Sequence, residues 1–213
     1  AICSVVNGGN LYQPYFISEI TDTNGKLVSK TTPKVINRTI SENTSSTIRT
    51  MLERVVTKSN AIEAFIPGHR VSGKTGTSQK YENGRIVQKY VSSFVGAYPA
   101  DKPDYVVLVI ADEPSTGNYF GSVVATPYAK LIFKGIIDYK QYAPSSDVEN
   151  QEKELERNIK MPNLIGLSLT EAIKKVTSLG LQYEIMGEND RVVSQTPPVD
   201  TFVYKNAVVI IGT

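Results

Sequence analysis

Three strand-forming runs joined by short connections limit the fold more than any other feature of the sequence. They are residues 70–79, 86–98 (from Ile86-Val87 through Phe94-Val95) and 104–111 (Asp104-Tyr-Val-Val-Leu-Val-Ile-Ala111), with turn residues at Asn83-Gly84 and across Asp101-Lys-Pro-Asp104. A parallel crossover needs about a dozen residues or more, so connections this short predict an antiparallel meander. Helical periodicity brackets it. Before the strands, Ile40, Thr44, Ile48, Met51, Leu52, Val55 and Val56 recur at helical intervals, and Thr39 and Glu42 have capping-box spacing, predicting a helix over 40–57. After them, a closing helix is predicted over 122–139.

Further upstream, Tyr15-Phe-Ile-Ser-Glu-Ile20 and Lys26-Leu-Val-Ser-Lys30 flank Asn24-Gly25, a pair favoured in tight turns, so residues 14–32 read as a β-hairpin. The opening Ala1-Ile-Cys-Ser-Val-Val-Asn-Gly-Gly9 lacks an initiator Met and reads as the last turns of a helix closed by glycines. Residue 1 is therefore read as a cut point inside a longer chain, with any membrane anchor lying upstream.

At 141–158 the composition becomes polar and acidic with few apolar anchors, as in a linker. From 159 a second unit begins. Ser168 and Glu171 make another capping box ahead of a helix with Ala172, Ile173, Val176 and Leu179 on one face and Gly180 at its end. Strands Leu181–Met186, Arg191–Gln195 and Ala207–Ile211 follow. The fold class is thus α+β: an antiparallel sheet flanked by helices over 1–140, then a small α-β-β-β unit over 159–213.

Composition narrows the function classes. At 40% apolar residues a core can form, and a net charge of +2 gives no footprint for nucleic acid. The single Cys3 permits no internal disulfide and reads as a small buried residue. No apolar run is long enough to span a bilayer.

The chemistry lies in Pro67-Gly-His-Arg-Val-Ser-Gly-Lys74-Thr75-Gly76-Thr77-Ser78, which admits two incompatible readings. Gly68-x-x-x-x-Gly73-Lys74-Thr75 matches a phosphate-binding loop, and Val106-Val-Leu-Val-Ile-Ala-Asp112-Glu113 resembles a strand ending in a metal-binding carboxylate. That loop needs a buried strand before Gly68 and a helix starting at Lys74. Residues 60–67 are too short and mixed for the strand, and Gly76 and Asn83-Gly84 oppose the helix, which leaves a chance match. The second reading is a Lys-Thr-Gly strand beside a reaction centre. There Lys74 supplies a compact positive charge, the hydroxyls of Thr75 and Thr77 meet a substrate carboxylate, Gly76 keeps the strand thin, and the Thr77 N–H serves an oxyanion hole.

Val71-Ser-Gly-Lys-Thr-Gly-Thr-Ser-Gln-Lys80, Tyr90-Val-Ser-Ser-Phe-Val-Gly-Ala-Tyr-Pro99, Val107-Leu-Val-Ile-Ala-Asp-Glu-Pro114 and Tyr119-Phe-Gly-Ser-Val-Val-Ala-Thr-Pro127 resemble, in order, segments of class B penicillin-binding proteins. Asn7-Gly-Gly-Asn-Leu-Tyr-Gln-Pro14 fits the same order, so the resemblance covers essentially residues 1–140. Met161-Pro-Asn-Leu-Ile-Gly166, Leu179-Gly180-Leu181, Val192-Val-Ser-Gln-Thr-Pro197 and Val208-Val-Ile-Ile resemble a PASTA domain. The resemblance implies the C-terminal part of a serine D,D-transpeptidase domain. Such an enzyme cross-links peptidoglycan stem peptides through an acyl-enzyme and is acylated by β-lactams, without a cofactor. It sits on the extracytoplasmic face of the membrane, chiefly in Gram-positive bacteria, alongside other division or sporulation cell-wall proteins.

The family also needs Ser-x-x-Lys and Ser-x-Asn. The first is absent from the chain, and Ser41-Glu42-Asn43, the formal match to the second, falls at a helix start and reads as capping. The nucleophile is therefore expected upstream, and this chain alone is expected to be inactive. A carboxypeptidase or β-lactamase type of hydrolase shares the Lys-Thr-Gly strand, and a cell-wall binding module is the alternative of a different class. His69 reads as solvated or structural, with a metal or supporting role near Lys74 as its alternative. Tyr119, Phe120, Tyr128 and Phe133 read as core or groove lining, with core favoured.

Overall fold

The structure, a computed structural model, describes residues 1–59, 61–115, 118–145 and 159–213. Helix α1 (Ile2–Val6) ends at Gly8 and Gly9, whose φ values of 90° and 95° suit residues without a side chain. Its last carbonyls are satisfied from helix α2 (Glu42–Lys58): Ser45 Oγ donates to Val5 O at 2.6 Å and Arg49 Nη1 to Val6 O at 3.1 Å. Cys3 is exposed rather than buried as expected, because α1 turns Ser4 and Val6 inward instead.

Strand β1 (Asn10–Tyr12) pairs antiparallel with β4 (Val35–Arg38), and between them β2 (Glu19–Thr21) pairs with β3 (Leu27–Lys30). The Asn24-Gly25 turn forms, held by Asp22 Oδ1, which accepts from the N–H groups of Asn24 and Lys26 at 2.9 Å each. The ladder is shorter than the predicted 14–32 hairpin, since residues 14–18 form no strand. The predicted Thr39–Glu42 capping box does not form either. Thr39 is engaged with Gly9, its N–H donating to that carbonyl at 2.7 Å, and the cap passes to Ser41, whose Oγ accepts from Thr44 N–H at 3.1 Å. Ser41 is a capping residue, as the sequence indicates.

A 3-10 turn (Ile62–Ala64) leads to the meander β5 (Ser72–Glu82), β6 (Arg85–Tyr98) and β7 (Tyr105–Asp112), antiparallel in that order. The predicted closing helix is two helices, α3 (Gly121–Val124) and α4 (Thr126–Lys140), separated at Ala125. Pro127 explains the break: it has no N–H to continue the ladder from α3, yet suits the first turn of α4. The core of this unit joins Phe94 on β6 and Phe133 on α4, both 0% exposed, to Val56, Val71 and Ile137. Tyr128, grouped with Phe133 in the sequence reading, points outward instead at 62% exposure.

In the second unit helix α5 (Leu169–Ser178) carries the predicted capping box, with Ala172 and Val176 buried. Its sheet runs β10 (Ser194–Thr196), β12 (Val208–Gly212), β9 (Gln182–Met186), with β12 and β9 parallel. The strand predicted at 191–195 starts only at Ser194, because Arg191 instead bridges to Ser168 at the start of α5. A two-residue pair unseen in the sequence, β8 (Ile159–Lys160) with β11 (Phe202–Val203), closes the other end. The units share the 3-10 turn. Ala61, Ala64 and Phe65 enter the first core, while Ile62, 5% exposed, enters the second with Met161, Val203 and Tyr204.

Candidate active site

Strand β5 is an edge of its sheet, and pairing with β6 fixes which side chains share a face. Lys74 lies opposite Val95 and Gly76 opposite Ser93; Thr75 lies opposite Phe94 and Thr77 opposite Ser92. The Phe94 face is covered by α4. Lys74 therefore stands on the other face, exposed, on the side of the sheet that also carries Leu108 and Ile110, which are 60% and 59% exposed. Its ammonium donates to the Thr75 carbonyl at 2.8 Å, back along its own strand. Thr75 is half-buried, and Thr77 is exposed.

This geometry removes the phosphate-loop reading. Ser72 to Glu82 is continuous strand, so no helix N-terminus follows Gly73, and Asp112, the supposed metal carboxylate, pairs with Lys80 at 2.5 Å. Lys80 also donates to Glu113 at 2.8 Å, which holds the Glu113 carboxyl below its ordinary range; the bond to Asp112, then that to Glu113, raises Lys80 above its own. The acidic pair is thus a clasp on the far end of β5.

The glycines allow close packing. A side chain on Gly73 would come within 2.2 Å of the Phe94 ring, and one on Gly76 within 2.6 Å of Ser93 Oγ. On the Phe94 side of the sheet, away from Lys74, lies the Asn118–Gly121 stretch. Tyr119 stacks on Tyr90 with ring centroids 3.6 Å apart, its carbonyl accepts from Ser92 Oγ, and the Gly121 N–H donates to Thr77 Oγ1 at 3.1 Å. Burial, then the hydrogen bond with Tyr90, pushes the Tyr119 phenol up to about 12. Sequence reasoning favoured core over groove lining for Tyr119, which is half-buried over the strand instead, and did not single out Gly121. Its only signal is a glycine placed just ahead of a helical pattern.

Beyond Gln79 the strand opens into a cleft of about 640 Å³, walled on one side by Tyr90, Asn118 and Tyr119 and on the other by Met186 and Thr213 of the second unit. His69 takes no part: its Nδ1 is 2.9 Å from the Tyr98 hydroxyl, and burial lowers its pKa. Among the described residues no group of His, Cys, Asp and Glu is placed to hold a metal ion, and no helix is long and apolar enough to cross a membrane.

An exposed Lys-Thr-Gly-Thr edge strand, backed by a meander and a long C-terminal helix, defines a protein of the penicillin-recognising class. The comparisons with known proteins agree. Residues 1–137 match the penicillin binding protein transpeptidase domain and residues 159–213 the PASTA domain. The chain belongs to the penicillin-binding protein transpeptidase family, as a class B member with one PASTA domain.

It is 34% identical over 213 residues to stage V sporulation protein D of Bacillus subtilis, covering 95% of this chain and 32% of that protein. It is 33% identical over 153 residues to a peptidoglycan D,D-transpeptidase FtsI homolog of Mesostigma viride, covering 65% of this chain and 26% of that one. Penicillin binding protein 3 of Mycobacterium tuberculosis, solved with ampicillin, superposes with a TM-score of 0.60 at 27% identity, covering 68% of this chain and 34% of the other. The D,D-transpeptidase domain from Eggerthella lenta superposes with a TM-score of 0.55 at 28% identity, covering 64% and 30%. The chain thus spans about a quarter to a third of the length of these relatives.

Proposed function

We propose that this chain is the C-terminal part of a serine D,D-transpeptidase that joins peptidoglycan stem peptides through an acyl-enzyme and is acylated by β-lactams. Residues 1–140 form the back of the transpeptidase domain, 141–158 the linker, of which 146–158 lie outside the described residues, and 159–213 the PASTA domain. The observation that carries the proposal is the exposed edge strand with Lys74 on its open face and Thr77 at its rim. Lys74 sets a positive potential where a substrate carboxylate and an ionising nucleophile must lie. Thr75 and Thr77 hydrogen-bond the carboxylate, Gly76 lets a peptide backbone lie alongside, and the Thr77 N–H helps hold the tetrahedral oxyanion. The serine comes from the protein upstream of residue 1, together with the anchor that holds the enzyme outside the cytoplasmic membrane. Transfer is favoured over hydrolysis because the relatives named for an activity are named as transpeptidases.

Fluorescent penicillin applied to the protein carrying this chain tests the proposal. Acylation on a serine upstream of residue 1, reduced in Lys74→Ala, is the result expected. A protein that stays dark at high penicillin, or label unaffected by Lys74→Ala and Thr77→Val, overturns it. Product analysis with a donor peptide and an amine then distinguishes transfer from release.

A further inference from the structure

We infer that Gly121 is a positioning residue that aims the Thr77 hydroxyl at an anionic group of the ligand, an inference that rests on the function proposed above. A threonine hydroxyl has one proton and two lone pairs, and alone it can present either to a neighbour. Here one lone pair is engaged, because Gly121 N–H donates to Thr77 Oγ1 at 3.1 Å. The hydroxyl's own proton is left to be donated outward, and a hydroxyl that already accepts a bond is the better donor. What it then suits is a carboxylate, such as the C-terminus of a stem peptide or the acid of a β-lactam.

This contact can form only with glycine at 121. A side chain there would place its first carbon 2.4 Å from the Ser93 carbonyl oxygen and 2.5 Å from that of Gly76, both rigid strand backbone. The approach is also pinned just ahead of Gly121. The Tyr119 carbonyl accepts from Ser92 Oγ, the Tyr119 ring lies on Tyr90, and the Phe120 N–H meets Asn118 Oδ1 at 3.4 Å. Alanine at 121 must therefore lift the turn from β5 and release Oγ1, while Lys74, on the opposite face, keeps its place.

The test is a double-mutant cycle on penicillin acylation of the whole protein, with hydrogen exchange at Gly121 in the same protein as a second reading. Thr77→Val and Gly121→Ala each slow acylation roughly tenfold or more, the usual weight of a hydrogen bond to a charged group. The double variant is no slower than Thr77→Val alone, and Thr77→Ser, which keeps the hydroxyl, recovers most of the rate that Thr77→Val loses. Independent losses that multiply, or a Gly121→Ala variant acylated at the wild-type rate, overturn the inference. The Gly121 amide is protected from exchange in wild type and Thr77→Ser and loosened in Thr77→Val, while Ser122 and Val123 are unchanged. Equal exchange at Gly121 in Thr77→Val overturns the inference whatever Gly121→Ala does to folding. A wild-type protein that no penicillin acylates refutes the proposed function instead, and the exchange experiment still decides the contact.

Discussion

The Tyr204 hydroxyl donates to the Glu63 carboxylate at 2.6 Å, a contact between residues 141 positions apart that fastens the second unit to the turn just ahead of β5. Ile62, the neighbour of Glu63, is buried among second-unit side chains. One short turn therefore supplies both an apolar plug and a polar latch. Truncation of the plug, Ile62→Ala, is expected to destabilise the second unit by about 2–4 kcal/mol, and Tyr204→Phe by about 1 kcal/mol. Hydrogen exchange resolved over 159–213 is the measurement, and unchanged protection in Ile62→Ala counts against this docking.

Glu53 is 8% exposed and accepts two bonds from Arg70, from Nε and Nη2, each 2.7 Å long. The fork ties α2 to the segment entering β5. Arg70→Ala leaves a largely buried carboxylate without it and is expected to cost about 1–3 kcal/mol, toward the lower end because the guanidinium is partly exposed. Arg70→Lys should recover little, since an ammonium cannot supply two parallel bonds. Urea unfolding followed by circular dichroism reads both, and a fully restored midpoint in Arg70→Lys would show that charge alone matters.

His69 gives the pH dependence its sign. Burial, the larger influence, lowers its pKa below the ordinary 6.5, against a smaller upward pull from Asp138. The unfolded chain then binds the proton more readily than the folded one. Stability is unaffected above 6.5 and falls as the pH drops from 6.5 to the folded value, below which it levels. His69→Asn should flatten that part of the curve. Unfolding midpoints at pH 7.5 and 5.5 check it, and a wild type more stable at 5.5 than His69→Asn, relative to 7.5, contradicts it.

Two glycine replacements should have opposite signs. Gly73→Ala drives a carbon into the fully buried Phe94 ring and is expected to cost about 1–3 kcal/mol. Gly135→Ala, inside α4 with open space around it, should stabilise by roughly 0.5–1 kcal/mol. Thermal unfolding of the two variants beside wild type decides both signs.

Local signals in the sequence carried the features whose causes are local. The Asn83-Gly84 turn, the meander, the α5 capping box and the strand character of Lys74 to Thr77 all depend on neighbours within a few positions, and all are found. What the sequence hid depends on distant partners. Thr39 forgoes the cap because Gly9 claims it, Cys3 faces outward because α1 buries its other side, and the β1–β4 pair is too short to show a period. Gly121 was missed for the same reason. Its partner lies 44 positions earlier, and a glycine before a helix reads as ordinary capping until Thr77 is seen beneath it.

The shared turn also bears on how such domains can be exchanged. A unit that behaved as a bead on a string would close its own apolar interior and could be cut out and fused elsewhere. This one leaves a socket that a residue from the preceding unit fills, so a PASTA graft onto another protein needs a counterpart of the Ile62–Glu63 turn on the recipient. Compatibility is written into two residues of the host rather than into the linker, and chimaeras chosen by matching those two residues should assemble where chimaeras chosen by linker length do not.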